Sequence, residues 1–142
     1  RYSFSQEGSH SYRMAIYLHD GNWRYAQKEG LAFNNPLTAF SGKASVATEA
    51  ALPVSASFFQ VEPANIVVST LKKAEDGNGW VARFYETEGK FAKAKITGFS
   101  PFSKVSLTDM LEYDQAALPV NADGSVDVSV KPYEIITIRG QY

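Results

Sequence analysis

Apolar and polar positions alternate over much of this chain with the period of two expected of β-strands. From Ser11 to His19, Tyr12, Met14, Ile16 and Leu18 fall on one face and Arg13, Ala15, Tyr17 and His19 on the other, which predicts a strand. Asp20-Gly21-Asn22 then predicts a turn, with Asn22 suited to cap a helix. Trp23, Ala26, Gly30 and Phe33 recur at helical spacing, so one short helix is predicted from Trp23 to about Phe33, ended by Asn34-Asn35-Pro36. The Ala/Ser/Thr-rich stretch from Ser41 to Pro53 has weak periodicity and is expected to connect two units.

Beyond Pro53 short strand patterns alternate with turns, as in an antiparallel sandwich. Strands are predicted over Val54–Val61, Asn65–Lys73, Trp80–Thr87, Phe91–Thr97, Lys104–Met110, Val126–Val130 and Glu134–Arg139. Glu75-Asp76-Gly77-Asn78-Gly79 is a strong hairpin signal, and Asp123-Gly124 a second. Alternation puts Trp80, Ala82 and Phe84 on one face and Val81, Arg83 and Tyr85 on the other; Val126, Val128 and Val130 likewise oppose Asp127 and Ser129. The expected fold class is all-β, an antiparallel β-sandwich: a terminal Ig-like sandwich plus the end of a larger one, with one short helix near residues 23–33. The expected domains are 1–53, the end of the large sandwich with that helix, and 54–142, the small terminal sandwich.

Composition narrows the function. A chain of 142 residues with 44% hydrophobic content can bury a core, which argues against disorder. A net charge of -1 with interleaved signs gives no electrostatic reason to expect nucleic acid or an anionic membrane as partner. No apolar run approaches the roughly 20 residues that span a bilayer, and Arg1-Tyr2-Ser3-Phe4 does not begin a signal peptide. Without an initiator Met the chain reads as a piece of something longer, of unknown localisation. With no cysteine there are no disulfides and no thiolate ligands.

Three blocks in order carry a family resemblance. The first is His10 to Trp23, containing Leu18-His19-Asp20-Gly21-Asn22-Trp23, followed by Ala26 and Phe33-Asn34-Asn35-Pro36-Leu37. The second is Ser57-Phe58-Phe59, Asn65 to Gly77, and Arg83-Phe84-Tyr85-Glu86; the third is Leu111-Glu112 with Pro132 to Thr137. Together they resemble the C-terminal β-domain region of the zinc-dependent α-mannosidases, glycoside hydrolase family thirty-eight. The family's Pro-His-x-Gly-x-Trp stands here with Leu18 in place of the proline.

The resemblance implies a parent that is a retaining exo-α-mannosidase, whose zinc and catalytic carboxylates lie in an N-terminal domain joined through helices to C-terminal β-domains. This chain would then be non-catalytic, with no catalytic or metal-binding residues and no cofactor of its own. Its partners would be the parent's catalytic and helical domains, and mannose-containing glycans through the parent. His19, Asp20, Trp23, Asn35 and Pro36 would be a structural motif of the β-domain. Arg83 would be a substrate-binding candidate lining the sugar site, set against an ion pair to Glu86 or Glu134.

Candidate chemistry in the residues themselves is sparse. Glu86 with Glu88, and Asp109 with Glu112, are the carboxylate pairs that proximity suggests, but a hairpin end explains the first pair more simply. For zinc only His10, His19 and the neighbouring Asp20 are available, and their spacing is no metal signature; a hydrogen-bonded His19 at the Asp20 turn is the simpler role. Neither a nucleophile elbow nor a Gly-rich phosphate loop is present. A different class of reading is an autonomous carbohydrate-binding or adhesion β-sandwich, with Tyr17, Trp23, Tyr25 or Tyr85 as a stacking platform.

Overall fold

A computed structural model of the chain describes residues 8–42 and 53–142. The chain divides into two units, Arg1–Ala44 and Ser45–Tyr142. Most of the connection expected over residues 41–53 lies outside the described residues.

In the first unit the helix forms where the spacing placed it. A 3-10 turn, Trp23–Ala26, is capped by Asn22, whose side chain accepts from the Arg24 amide, and leads into α1, Gln27–Asn34. Asn35 closes α1, its amide and its side-chain Nδ2 each donating to the Leu31 carbonyl over 2.9 Å, before Pro36 prevents continuation. The strand expected from Ser11 to His19 is absent: these residues form no ladder with any described residue, and Tyr12, Met14, Ile16 and Leu18 are 79% to 92% exposed. Alternation supplies the two faces of a strand, but the backbone also needs a hydrogen-bonding neighbour. The apolar stripe of α1 is only partly covered: no residue of the helix is buried, Leu31 and Phe33 are half-buried, and the Arg13 guanidinium lies 5.1 Å from the Phe33 ring centre.

The second unit is a sandwich of eight strands: β1 (Phe59–Glu62), β2 (Ile66–Lys73), β3 (Trp80–Glu86), β4 (Ala92–Gly98), β5 (Lys104–Thr108), β6 (Asp114–Leu118), β7 (Val126–Val130) and β8 (Ile135–Gln141). They form a three-stranded sheet ordered β1-β4-β7 and a five-stranded sheet ordered β2-β3-β8-β5-β6, antiparallel throughout. Seven of the strands lie within or close to the expected spans. The eighth, β6, was not anticipated because Asp-Gln-Ala-Ala-Leu lacks alternation; it is a largely exposed edge strand formed by pairing with β5.

Between the sheets lies one core. Trp80, Ala82 and Phe84 of β3 and Ile136 and Ile138 of β8 face Ala94 and Ile96 of β4 and Val126, Val128 and Val130 of β7. Phe59, Trp80, Phe102 and Tyr142 form a linked aromatic cluster, with Phe59 edge-on to Trp80 at 5.4 Å between centroids. Phe84 is fully buried on the central strand pair. Phe84→Ala is expected to lower stability by about 3–5 kcal/mol in denaturant melts of the chain, the loss of a buried aromatic plus its cavity.

Candidate functional site

Two polar constructions stand out in the sandwich. The first centres on Glu86, the last residue of β3, which is only 1% exposed. Oε1 accepts from Asn65 Nδ2 at 2.8 Å and the Glu88 amide at 2.7 Å. Oε2 accepts from the amides of Gly89 at 2.6 Å, Tyr133 at 3.0 Å and Lys90 at 3.2 Å. The donors come from the β1–β2, β3–β4 and β7–β8 connections, all three of which pass from one sheet to the other. Burial alone would raise the Glu86 pKa, but these donors outweigh it and hold the carboxyl at about 2.

Backbone geometry is adapted to this anion. Tyr133, whose amide donates to Glu86, is a non-glycine residue at φ 57°. Its ring lies over Gly89, where a Cβ would meet Tyr133 ring atoms at 2.6 Å and where φ is +72°, so a larger residue there would be strained and would have to displace the ring.

The second construction covers the outer face of the five-stranded sheet. Asp109–Tyr113, joining β5 to β6, folds back as a strap across β8 and β3 to the β2–β3 hairpin. Asp109 organises it, its Oδ1 accepting from the Leu111 amide at 2.9 Å and the Tyr113 amide at 3.0 Å. Glu112, at φ 70° and buried, reaches Lys72 Nζ at 2.7 Å and accepts from the Glu75 amide at 2.8 Å. The Lys72 ammonium and the Glu75 amide hold the Glu112 pKa below the usual carboxylate range. On this outer face Val81, Ser106, Thr108 and Thr137 are buried although they face away from the core.

Arg83 belongs to this second construction. Its Nε donates to Thr137 Oγ1 at 3.1 Å and its Nη2 to the Met110 carbonyl at 3.4 Å, so it links the sheet to the strap. Neither Glu86 nor Glu134 forms an ion pair with it among the described residues. Arg139, two residues along β8 from Thr137, pairs instead with Asp76 and donates to the Asn78 carbonyl at 3.0 Å.

The other residues singled out from the sequence lie in the first unit. His19 Nδ1 is 3.2 Å from the Asp20 carbonyl, and the His19 ring stacks on Tyr17 at 5.7 Å. Trp23 begins the 3-10 turn, 61% exposed, with the Arg24 guanidinium 5.1 Å from its ring. Among the described residues no three His, Cys, Asp or Glu side chains converge as a catalytic zinc would require. The two carboxylate pairs weighed from the sequence have other employment: Glu88 pairs with Lys90 at 2.7 Å, Asp109 caps its own loop, and Glu86 and Glu112 are the anchors just described. The strap could not be found from sequence, since its partners are 37 residues apart and no local pattern records them.

The model of the glycosyl hydrolases family 38 C-terminal beta sandwich domain matches residues 65–138, from the start of β2 through most of β8. The chain belongs to this family. The family 38 match embraces both polar constructions, since Asn65, Glu86, Glu112 and Tyr133 all lie inside it. The chain is also 30% identical, over 138 residues, to alpha-mannosidase G of Dictyostelium discoideum. That alignment takes in 93% of this chain, yet the chain spans only 12% of that relative's length.

Glu86→Gln places an amide N–H₂ among backbone N–H donors, and loss of charge-assisted bonds from a buried acceptor is expected to cost about 2–4 kcal/mol in urea melts. The pH profile gives a second readout. Because folding depresses the Glu86 pKa from 4.5 to about 2, its contribution is complete above the unfolded value and disappears as pH falls through that window. The stability gap between the native chain and Glu86→Gln is therefore expected to be constant near neutrality and to narrow below pH 4.5.

Proposed function

We propose that this chain is the non-catalytic C-terminal β portion of an α-mannosidase-like retaining exo-glycoside hydrolase, and that it acts by packing against and shaping the catalytic domain. The observation that carries the reading is the conjunction of a family 38 β-sandwich match with an alignment covering 12% of a protein named an alpha-mannosidase. The geometry supports it. The carboxylates nearest to one another serve as structural anchors, and Glu86, held ionised by five donors, is unfit to donate a proton or attack a sugar.

In this reading residues 1–53 are the end of a larger β-sandwich and 54–142 the terminal one. The exposed Tyr12, Met14, Ile16 and Leu18 are then an inward strand face that neighbouring strands of the larger sandwich cover. Zinc belongs to the parent's catalytic domain, where it holds hydroxyls of the sugar ring, and mannose-containing glycans are partners of the parent. For Arg83, hydrogen bonds to Thr137 and the strap favour a positioning role, while its remaining donors keep a sugar-lining role testable.

The exposure of Trp23 and Tyr17 favours a second reading, an autonomous carbohydrate-binding module. The two readings part on the isolated chain. The first expects no hydrolysis of aryl α-mannosides, no stoichiometric zinc and a silent glycan array at micromolar concentration; hydrolysis in metal-replete buffer would overturn it, and glycan binding lost in Trp23→Ala would favour the second. Arg83→Ala is expected to lower the stability of the chain by about 1–2 kcal/mol. In the intact enzyme, weakened sugar binding without any change in melting would instead identify Arg83 as a sugar ligand.

A further inference from the structure

The outer surfaces of both sheets carry ion pairs, and that of the five-stranded sheet carries exposed apolar groups besides. That of the three-stranded sheet carries the pairs Lys93–Asp127 at 2.9 Å and Lys95–Asp123 at 2.7 Å, a face suited to water. Across the five-stranded sheet runs the strap, and the side chains it turns outward are apolar: Met110, Leu111 and Tyr113 are 66%, 76% and 68% exposed.

An unconstrained loop would relax to hide such groups from water. This one is prevented from doing so. Asp109 takes two amides of the loop, and Glu112 is pinned beneath it by Lys72 and the Glu75 amide in a backbone conformation rare for a non-glycine residue. Met110 also lines a groove of about 710 Å3 together with Phe91, Ile135, Leu107 and Leu118. Phe91 and Ile135 are themselves largely exposed, and Met110 joins the strap to this groove, whose rim also carries Asp109, Asp127, Lys131 and Glu134.

We infer that the strap and this groove are the surface through which the terminal sandwich docks onto an apolar surface elsewhere in its own polypeptide. The occupant follows from the length of chain involved: the alignment leaves most of the relative's length outside this segment, and a rigid loop presenting fixed apolar side chains suits a permanent intramolecular interface. The inference rests on the packing role proposed above and adds the face that performs it.

The chain's two methionines allow a test that separates the inference from that role, since Met110 reports on the strap and Met14 on the first unit. Oxidation by hydrogen peroxide, followed by peptide mass spectrometry, is compared between the 142-residue chain and the intact polypeptide encoded with it. Met110 is expected to oxidise about tenfold more slowly in the intact polypeptide, as a thioether does when an interface covers it. Protection of Met14 without Met110 would overturn the docking face and leave the packing role standing; protection of neither would overturn both. Protection of Met110 that grows with the concentration of the isolated chain would assign the surface to a second copy and overturn the inference. Leu111→Asp with Tyr113→Asp is expected to leave the melting of the isolated chain unchanged and to restore rapid Met110 oxidation in the intact polypeptide. Continued protection in that variant would also overturn it.

Discussion

The sandwich depends on one buried anion. Three segments carry the chain between its sheets at one end, and each delivers a donor to Glu86: Asn65 from the first, the amides of Glu88, Gly89 and Lys90 from the second, and the Tyr133 amide from the third. Apolar contact holds two sheets together but says little about where the crossovers sit, because hydrophobic burial is nondirectional. Hydrogen bonds to a desolvated carboxylate are directional, and leaving one unmade is expensive. Glu86 therefore converts a layered apolar core into a particular connectivity, and the left-handed backbone of Tyr133 and the bare Gly89 beneath its ring are the geometric consequences.

The opposite end is held by related chemistry at smaller scale. Asp123 accepts from the Ser125 amide at 3.0 Å and from its hydroxyl at 2.5 Å, and pairs with Lys95 of β4, so the turn before β7 is tied to the adjacent strand. These partners, Lys95 foremost, depress the Asp123 pKa below its ordinary value. With Glu112 fastening the strap, three acidic side chains that look alike in sequence hold three separate loop systems.

How much of this was legible follows from which interactions are local. Period two in Trp80–Glu86 and Val126–Val130 grouped Trp80, Ala82 and Phe84 on one face and Val126, Val128 and Val130 on another, and these are the faces that line the core, because a strand buried on one side writes its environment into its own sequence. Asn22, Asn35 and Pro36 marked the helix ends for the same reason: caps bond to residues within four positions. Ser11–His19 shows the limit. Its alternation is clean, but a strand exists only with a partner, and the described residues hold none. β6 is the converse case, a strand without alternation that β5 pairs nonetheless. Glu86 invited reading as a hairpin-end carboxylate because Asn65 and Tyr133 stand 21 and 47 residues away.

Catalytic carboxylates need free lone pairs, room for substrate and a pKa matched to proton transfer. In this sandwich the acidic groups brought into its interior face donors already in place, so their charge is spent on holding backbone. The apolar side chains show the opposite imbalance: after the inter-sheet core is filled, Met110, Leu111, Phe91 and Ile135 remain outside, some on a loop too constrained to withdraw them. The buried carboxylates Glu86 and Glu112 are thus satisfied within the sandwich while these apolar side chains are not, and that imbalance is what the proposed packing role draws on.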